Sequence, residues 1–169
     1  SGRTPLARAV IGDSVQAAEI LLAFGANVNH RSSVRSGKLS ALDIAARNGQ
    51  VNMVRCLISR GADVLGAATG KRTPLLFAAA GIEKGHDNRS VIRDLIVAGA
   101  DIEARSPEGW TVFLYAVKTY RSSIGNIGVM LEGGANVNAQ DSYGMTALQY
   151  ACLEGDVDMV ELLLRWGAD

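Results

Sequence analysis

Residue types that carry chemistry are few in this chain and lie far apart. Histidine occurs only at His30 and His86, and cysteine only at Cys56 and Cys152. Neither pair falls at metal-ligand spacing with other Cys, Asp or Glu residues, and the cysteines form no short-spaced motif. We therefore expect no metal, no cofactor and no disulfide, and we expect both thiols to be buried.

Two short segments resemble functional motifs but lack their context. Residues 83–89, EKGHDNR, combine acids, bases and a histidine, and we expect a solvated loop because nothing in the sequence encloses them. Residues 66–73, GAATGKRT, lack the preceding strand and the glycine spacing of a phosphate-binding loop. The sequence therefore predicts no enzyme, and an enzymatic or ligand-binding site in the 82–90 insertion is a rival hypothesis.

One large aromatic side chain lies in an unusual place, in the segment SPEGWTVFLYA at 106–116. Trp110 stands between Gly109, which can turn the chain, and Thr111, which can cap a helix. Tryptophan is a common anchor of protein interfaces, so Trp110 could contact a partner. It could instead fold over the nearby Met145 and seal the structure. Both interpretations stay open from the sequence.

The composition is that of a folded protein with no bulk charge. The chain has 17 basic and 17 acidic residues, and 48% of its residues are hydrophobic. This balance gives no general attraction to nucleic acid or acidic membranes. No apolar run has the length of a membrane span, and no signal segment is seen, so we expect a cytoplasmic monomer, with the nucleus as the alternative location.

One structural unit is written five times along the chain. A threonine or serine followed two residues later by Leu or Phe occurs at Thr4, Ser40, Thr73, Thr111 and Thr146. A Gly-Ala pair begins at Gly25, Gly61, Gly99, Gly134 and Gly167. The two series alternate with a base period of 33 residues, interrupted by insertions, as a repeat architecture requires.

Each unit reads as two helices and an extended turn. The threonine or serine is a good N-cap, and Pro5 and Pro74 follow it at the first helical position. The second helix is clearest in VDMVELLLRWGAD at 157–169, where one face is apolar and Gly167 can stop the helix. Extended segments such as NVNAQDSYG at 136–144 follow the glycines.

These units resemble the ankyrin repeat over nearly the whole chain. The match is carried by TPLLFAAA (73–80), ALDIAARNGQVNMVRCLISRGAD (41–63) and TALQYACLEGDVDMVELLLRWGAD (146–169). The resemblance implies an all-α solenoid of helix pairs joined by extended β-turn hairpins. It predicts a single domain over 1–169 with five units at approximately 3–30, 31–65, 66–104, 105–139 and 140–169.

The chain departs from the family pattern in three ways. The histidine that usually follows Thr-Pro-Leu is replaced by Ala7, Asp43, Leu76, Leu114 and Gln149. We therefore expect the units to rely more on apolar contacts. Polar insertions at 82–90 and 121–125 are expected to form mobile protrusions. Ser1-Gly2 resembles a tag remnant and the chain stops before a last hairpin, so we expect a piece of a longer protein.

The resemblance also implies where a partner binds, which is on the hairpins, called fingers, and on the concave face that the first helices form. The fingers are residues 27–39, 62–72, 100–110 and 135–145, numbered first to fourth. The candidate contact residues by position are Leu39, Arg72, Trp110, Tyr143 and Met145 on the fingers and Arg47 and Lys118 on the first helices. We expect Phe77, Tyr115 and Tyr150 to pack inside.

Charge differs between the fingers. The first finger carries Arg31, Arg35 and Lys38 without an acid, whereas the third and fourth are net acidic. A long partner would be oriented by such a gradient. The leading hypothesis is a non-enzymatic protein–protein interaction scaffold. The main alternative is an intramolecular regulatory or positioning domain, and nucleic-acid binding is disfavoured because the basic area is small.

Overall fold

The computed structural model of the protein describes residues 3–34, 37–66, 73–80, 87–106, 109–118 and 123–169. Within these ranges, ten α-helices follow one another as five pairs. The first helices of the pairs are α1 (Pro5–Ile11), α3 (Ala41–Arg47), α5 (Pro74–Ala80), α7 (Val112–Lys118) and α9 (Ala147–Glu154). The second helices are α2 (Val15–Ala23), α4 (Val51–Ser59), α6 (Arg89–Val97), α8 (Ile124–Glu132) and α10 (Val157–Arg165).

The helices form two parallel rows with the core between them. Each first helix contacts the next first helix, each second helix contacts the next second helix, and the two helices of each pair contact each other. The largest fully buried side chains come from both rows, among them Leu42, Leu75, Phe113, Ile92 and Met130. This is the all-α repeat solenoid that the 33-residue period predicts, because each unit buries its apolar face only against its neighbours.

All five predicted caps begin first helices. The hydroxyls of Thr4, Ser40, Thr73, Thr111 and Thr146 each accept a hydrogen bond from the backbone N–H three residues later. In two units Asp43 and Gln149 also accept from the cap's own N–H, at 2.8 and 2.9 Å. At these two positions a polar side chain therefore completes a capping box within its own unit, and the greater reliance on apolar contacts between units stays a prediction.

The first finger contains the two short strands of the described chain. Strands β1 (Ser32–Val34) and β2 (Gly37–Leu39) pair antiparallel, with Ser32 opposite Leu39. Ser32 is buried and its hydroxyl accepts from Thr4 N at 3.3 Å. This bond ties the first finger to the start of α1.

Three expectations about local structure need correction. Cys152 is exposed and Cys56 is only partly buried, so the expected burial of both thiols is corrected. Helix α6 already begins at Arg89 and α8 at Ile124, so the ends of both predicted insertions are helical. Asp87 is exposed, Asn88 is buried and Ser123 caps α8, and the remaining residues of the expected protrusions, 82–86 and 121–122, lie outside the described residues.

The loops after the second helices share one turn. In each of four loops, a side-chain oxygen accepts from the backbone N–H two residues later, and the acceptors are Asn27, Asp63, Asp101 and Asn136. Asparagine and aspartate form such turns readily because the short side chain reaches its own backbone. The four loops therefore have matching backbones.

In three of the four loops, the residue two positions after the acceptor joins its loop to the next. Asn29 donates to the carbonyl of Gly61 at 3.1 Å and accepts from Asp63 N at 2.8 Å. Glu103 and Asn138 hold the same position, and each accepts from the corresponding N–H of the following loop, at 2.8 and 3.2 Å. Hydrogen bonds thus form a ladder along this side of the stack.

The ladder lacks one step, between the second and third loops. Leu65 holds the linking position there and is 58% exposed. Replacement Leu65→Asn should supply a donor for the carbonyl of Gly99 and an acceptor for Asp101 N. We expect it to raise the free energy of unfolding by about 1 kcal/mol, the usual net contribution of such hydrogen bonds. Urea denaturation of the variant measures this value.

The matched control is Leu65→Ala, which removes the exposed leucine without adding an amide. If Leu65→Asn is no more stable than Leu65→Ala, the loops do not align as the structure places them.

Candidate functional site

The third and fourth fingers have similar short hairpins. One antiparallel bridge closes each hairpin, between Arg105 and Thr111 in the third and between Gln140 and Thr146 in the fourth. In both cases the second residue of the bridge is the cap of the next first helix. The base of each finger is therefore fixed to α7 or α9.

The two fingers lie in direct contact. Gly109 has a φ of 81°, and a Cβ built on it would lie 3.0 Å from Ser142 N, so glycine is required both by conformation and by space. Arg105 Nη1 donates to the carbonyl of Gly109 at 2.8 Å and to that of Gln140 at 2.7 Å. The guanidinium thus spans the third and fourth fingers.

Asp141 is the centre of this contact and is only 7% exposed. Its Oδ1 accepts from the backbone N–H groups of Tyr143 at 2.8 Å and Met145 at 3.1 Å. Its Oδ2 accepts from Trp110 Nε1 at 3.2 Å and from the Tyr150 hydroxyl at 2.5 Å. Four donors therefore surround one carboxylate and hold the turn of the fourth finger against the third finger and α9.

The same contacts favour the ionised form of Asp141. Burial acts to raise the pKa of this carboxyl. The hydrogen bonds from the Tyr150 hydroxyl, two backbone N–H groups and the Trp110 indole outweigh burial and lower the pKa below its ordinary value. The carboxylate is thus a permanent acceptor at neutral pH.

Lys118, in the last turn of α7, lies over the aromatic rings beside Asp141. Its ammonium nitrogen is 3.9 Å from the centroid of the Trp110 ring and 4.8 Å from that of Tyr150. It donates to the Tyr150 hydroxyl at 3.3 Å, and the Tyr115 ring stands 6.0 Å from that of Trp110. These four residues, with Asp141, form what we call the aromatic–lysine cluster, and cation–π attraction contributes to it.

The structure brings four of the predicted contact residues together around this cluster. Trp110, Met145 and Lys118 are partly buried, and Tyr143 is 81% exposed at the turn. Trp110 packs against the core and is held by its indole N–H, so it seals the contact between two fingers. The side chain is nevertheless only partly buried.

The other predicted contact residues lie elsewhere. Leu39 is 4% exposed and belongs to the core, so its assignment to the contact surface is corrected. The reason is that β2 turns this side chain inward, next to the Ser40 cap. Arg47 is partly buried at the end of α3, two units before Lys118. Arg72 lies outside the described residues.

The basic first finger is partly neutralised from within. Arg31 Nη2 lies 3.0 Å from Asp43 Oδ2, and Arg31 Nε donates to the carbonyl of Lys38 at 3.3 Å. Burial raises the pKa of Asp43, against the lowering effects of its hydrogen bond with Ser40 and the Arg31 charge. Lys38 is exposed and Arg35 lies outside the described residues. The net positive charge of the first finger is therefore smaller than the count of its charged residues indicates, and the charge gradient along the fingers is weaker.

Sequence reasoning missed two features of the site. It counted Asp141 only as a finger charge, although an aspartate two residues before the tip is a familiar turn acceptor. It placed Tyr150 and Tyr115 in the packing, which their partial burial supports, but the hydroxyl contact from Tyr150 to Asp141 had no sequence signal. Asp141 and Tyr150 lie in one unit, whereas their contacts with Trp110 and Lys118 depend on the stacking of adjacent units.

Within the described ranges, no group of three or more His, Cys, Asp or Glu side chains could hold a metal ion. Among the same residues, no helix is long and apolar enough to cross a membrane. The rival site at 82–90 falls largely on 81–86, outside the described residues.

Comparison with known proteins agrees with the fold. A family model of ankyrin repeats, in three copies, matches residues 1–68 and 75–169. The ankyrin repeat and KH domain-containing protein mask-1 of Caenorhabditis elegans is 30% identical over 98% of this chain. A putative ankyrin repeat-containing protein of Treponema pallidum is 35% identical over 72% of it. The chain belongs to the ankyrin repeat family.

The relatives are longer proteins. This chain spans 7% of mask-1 and 39% of the Treponema protein. Human ankyrin repeat and SOCS box protein 6 is 32% identical over 82% of this chain, which spans 32% of that protein. Ankyrin repeats are generally protein–protein interaction modules and generally not enzymes.

The structure predicts that Trp110 is needed for stability. Replacement Trp110→Ala removes one hydrogen-bond donor to Asp141 and the ring beneath Lys118. We therefore expect the free energy of unfolding to fall by about 1 to 3 kcal/mol. Denaturant melting followed by circular dichroism measures this without relying on tryptophan fluorescence.

The control for this prediction is Tyr143→Ala, because Tyr143 is exposed and its side chain should contribute less than about 0.5 kcal/mol. A Trp110→Ala protein as stable as the control would show that the indole does not hold the fingers together.

Proposed function

We propose that this array is a non-enzymatic scaffold that binds a protein segment across the third and fourth fingers and the first helices beside them. The observation that carries the proposal is the exposure of Tyr143, 81%, on a turn whose backbone Asp141 holds with two hydrogen bonds. An exposed tyrosine contributes a large contact area and loses few rotatable bonds on binding.

The rigidity of this turn supports binding because its backbone is already ordered in the free protein. Association loses free energy for every loop and side chain that must become ordered. Here Asp141, Arg105 and Gly109 fix the two fingers against each other before any partner arrives. The contact surface of Trp110 and Met145 is therefore preformed.

Site-specific photocrosslinking tests the position of the binding surface. A photoreactive phenylalanine analogue is placed at Tyr143 or, as the control, at Val97, which is 82% exposed at the end of α6 in the second-helix row. In lysate of the source cells, we expect one protein to crosslink from position 143 and not from 97, with the attached peptide identified by mass spectrometry.

Competition by unlabelled wild-type chain should abolish this crosslink. Equal crosslinking from both positions, or crosslinking that the competitor does not reduce, would contradict the proposed surface.

A second candidate function is contact with another domain of a parent protein. It is favoured by the relatives' printed names, which join ankyrin repeats to a KH domain or a SOCS box. The same crosslinker at Tyr143 distinguishes the two when placed in the parent chain. In this experiment, isotope-labelled and unlabelled parent chains are mixed before crosslinking. If the contact is within one molecule, every crosslinked pair of peptides is either fully labelled or fully unlabelled.

A further inference from the structure

The charged side chains of the first helices are strongly unequal. In the described residues these helices carry three bases, namely Arg8, Arg47 and Lys118. Their acids are Asp43, which is fully buried and paired with Arg31, and Glu154, which is exposed at the end of α9. The face of the first-helix row between α1 and α7 is therefore positive although the whole chain is neutral.

Among the described residues, Lys118 is a cation without an acidic partner. Within the described chain, its ammonium makes no ion pair, and its one hydrogen bond is the 3.3 Å contact to the Tyr150 hydroxyl. Asp141 is the carboxylate of the same cluster, but its oxygens already accept four hydrogen bonds. Lysine has three N–H donors, so Lys118 keeps donors to offer.

The Lys118 ammonium is also held in place. The rings of Trp110 and Tyr150 lie beneath it, at 3.9 and 4.8 Å, and Asp141 fixes both rings through their polar atoms. A free lysine side chain loses rotamer freedom when it is immobilised. Much of that loss has occurred here before binding, which favours capture of an anion.

Two exposed side chains with apolar surface lie on the fourth finger and on α9, the elements next to this cation. Tyr143 is 81% exposed on the turn that Asp141 braces, and Leu153 is 73% exposed one helical turn beyond Tyr150 on α9. Residues three apart share one face of a helix, so Leu153 lies on the side of α9 that bears Tyr150. The fourth finger and α9, which carry the groups that hold this cation, therefore also carry exposed apolar contact groups.

From this arrangement we infer that the partner is an acidic peptide segment, with a carboxylate that pairs with Lys118 and a neighbouring apolar side chain that packs on Tyr143 or Leu153. Arg47, which also has no acidic partner among the described residues, extends the attraction along the row. This inference rests on the proposed function and specifies the chemistry of the partner.

Fluorescence anisotropy with synthetic probes tests the inference. The probe is a labelled peptide of Glu and Phe residues, and matched peptides carry Gln or Lys in place of every Glu. We expect the Glu peptide to bind about tenfold more tightly than the Gln peptide, as one charged hydrogen bond with a steering field would give. Added salt should weaken the Glu peptide more than the Gln peptide.

Variants of the chain locate the charge that matters. Lys118→Gln should lose most of the preference for the Glu peptide, whereas Lys118→Arg should keep it. The matched control is Arg93→Gln, since Arg93 is 58% exposed on α6 in the other helix row and should have no effect. Thermal melting of each variant shows that the fold is kept.

Several results would overturn the inference. These are equal binding of the Glu and Gln peptides, no measurable binding of the Glu peptide, a preference for the Lys peptide, or tighter binding of a single-stranded RNA of matched charge. The proposed function would survive them if a protein still crosslinks from Tyr143 and not from Val97, so the two failures are distinguishable.

Discussion

The carboxylate of Asp141 is the interaction on which the rest of the candidate site depends. It belongs to the fourth finger, yet its four donors come from three places, namely its own turn, the third finger and α9. The hydrogen bonds to this buried carboxylate stabilise its ionised form. Removing the carboxylate would leave its donors unpaired, which lowers the stability of the fold. The position of Lys118 follows, because the rings it lies over are both bonded to Asp141.

The stack as a whole is held by repeated contacts, and the site is a local addition to them. Caps, loop turns and the loop-to-loop bonds recur from unit to unit with small variations. On the second-helix side, the ion pair of Arg55 with Asp94 and that of Arg93 with Glu132 also join successive units, although exposed pairs contribute little. By contrast, the Arg105 bridge and the aromatic–lysine cluster join only the third and fourth fingers and their helices.

Most of the fold could be predicted from the sequence because its signals are local and repeated. Threonine and serine caps and closing glycines each act within a few residues, and the five copies fix the period. The closing glycines have φ values between 78° and 94°, as predicted. The site was only partly predictable. Both Tyr143 and Leu39 were assigned to the contact surface by position. Tyr143 is exposed, whereas Leu39 is buried because strand pairing in the first finger turns it inward.

The remaining misses have one physical cause. Trp110 meets Asp141 across 31 residues of sequence and Lys118 meets Tyr150 across 32, so these contacts depend on how adjacent units stack. The neutralisation of Arg31 by Asp43 likewise required knowing that the first finger folds back on α3. Local patterns predict which elements form, whereas side-chain networks between units require coordinates.

The most direct test of this account is the pH dependence of unfolding for the wild-type chain and for Asp141→Asn. The folded-state pKa of Asp141 is lowered, so its contribution is present above the ordinary aspartate pKa of about 4 and is lost as the pH falls through the folded value. The account predicts that wild type is more stable at neutral pH, by about 2 kcal/mol, and that the difference shrinks below about pH 4. A difference that is absent, or that stays constant across this range, would contradict the central role of the Asp141 carboxylate.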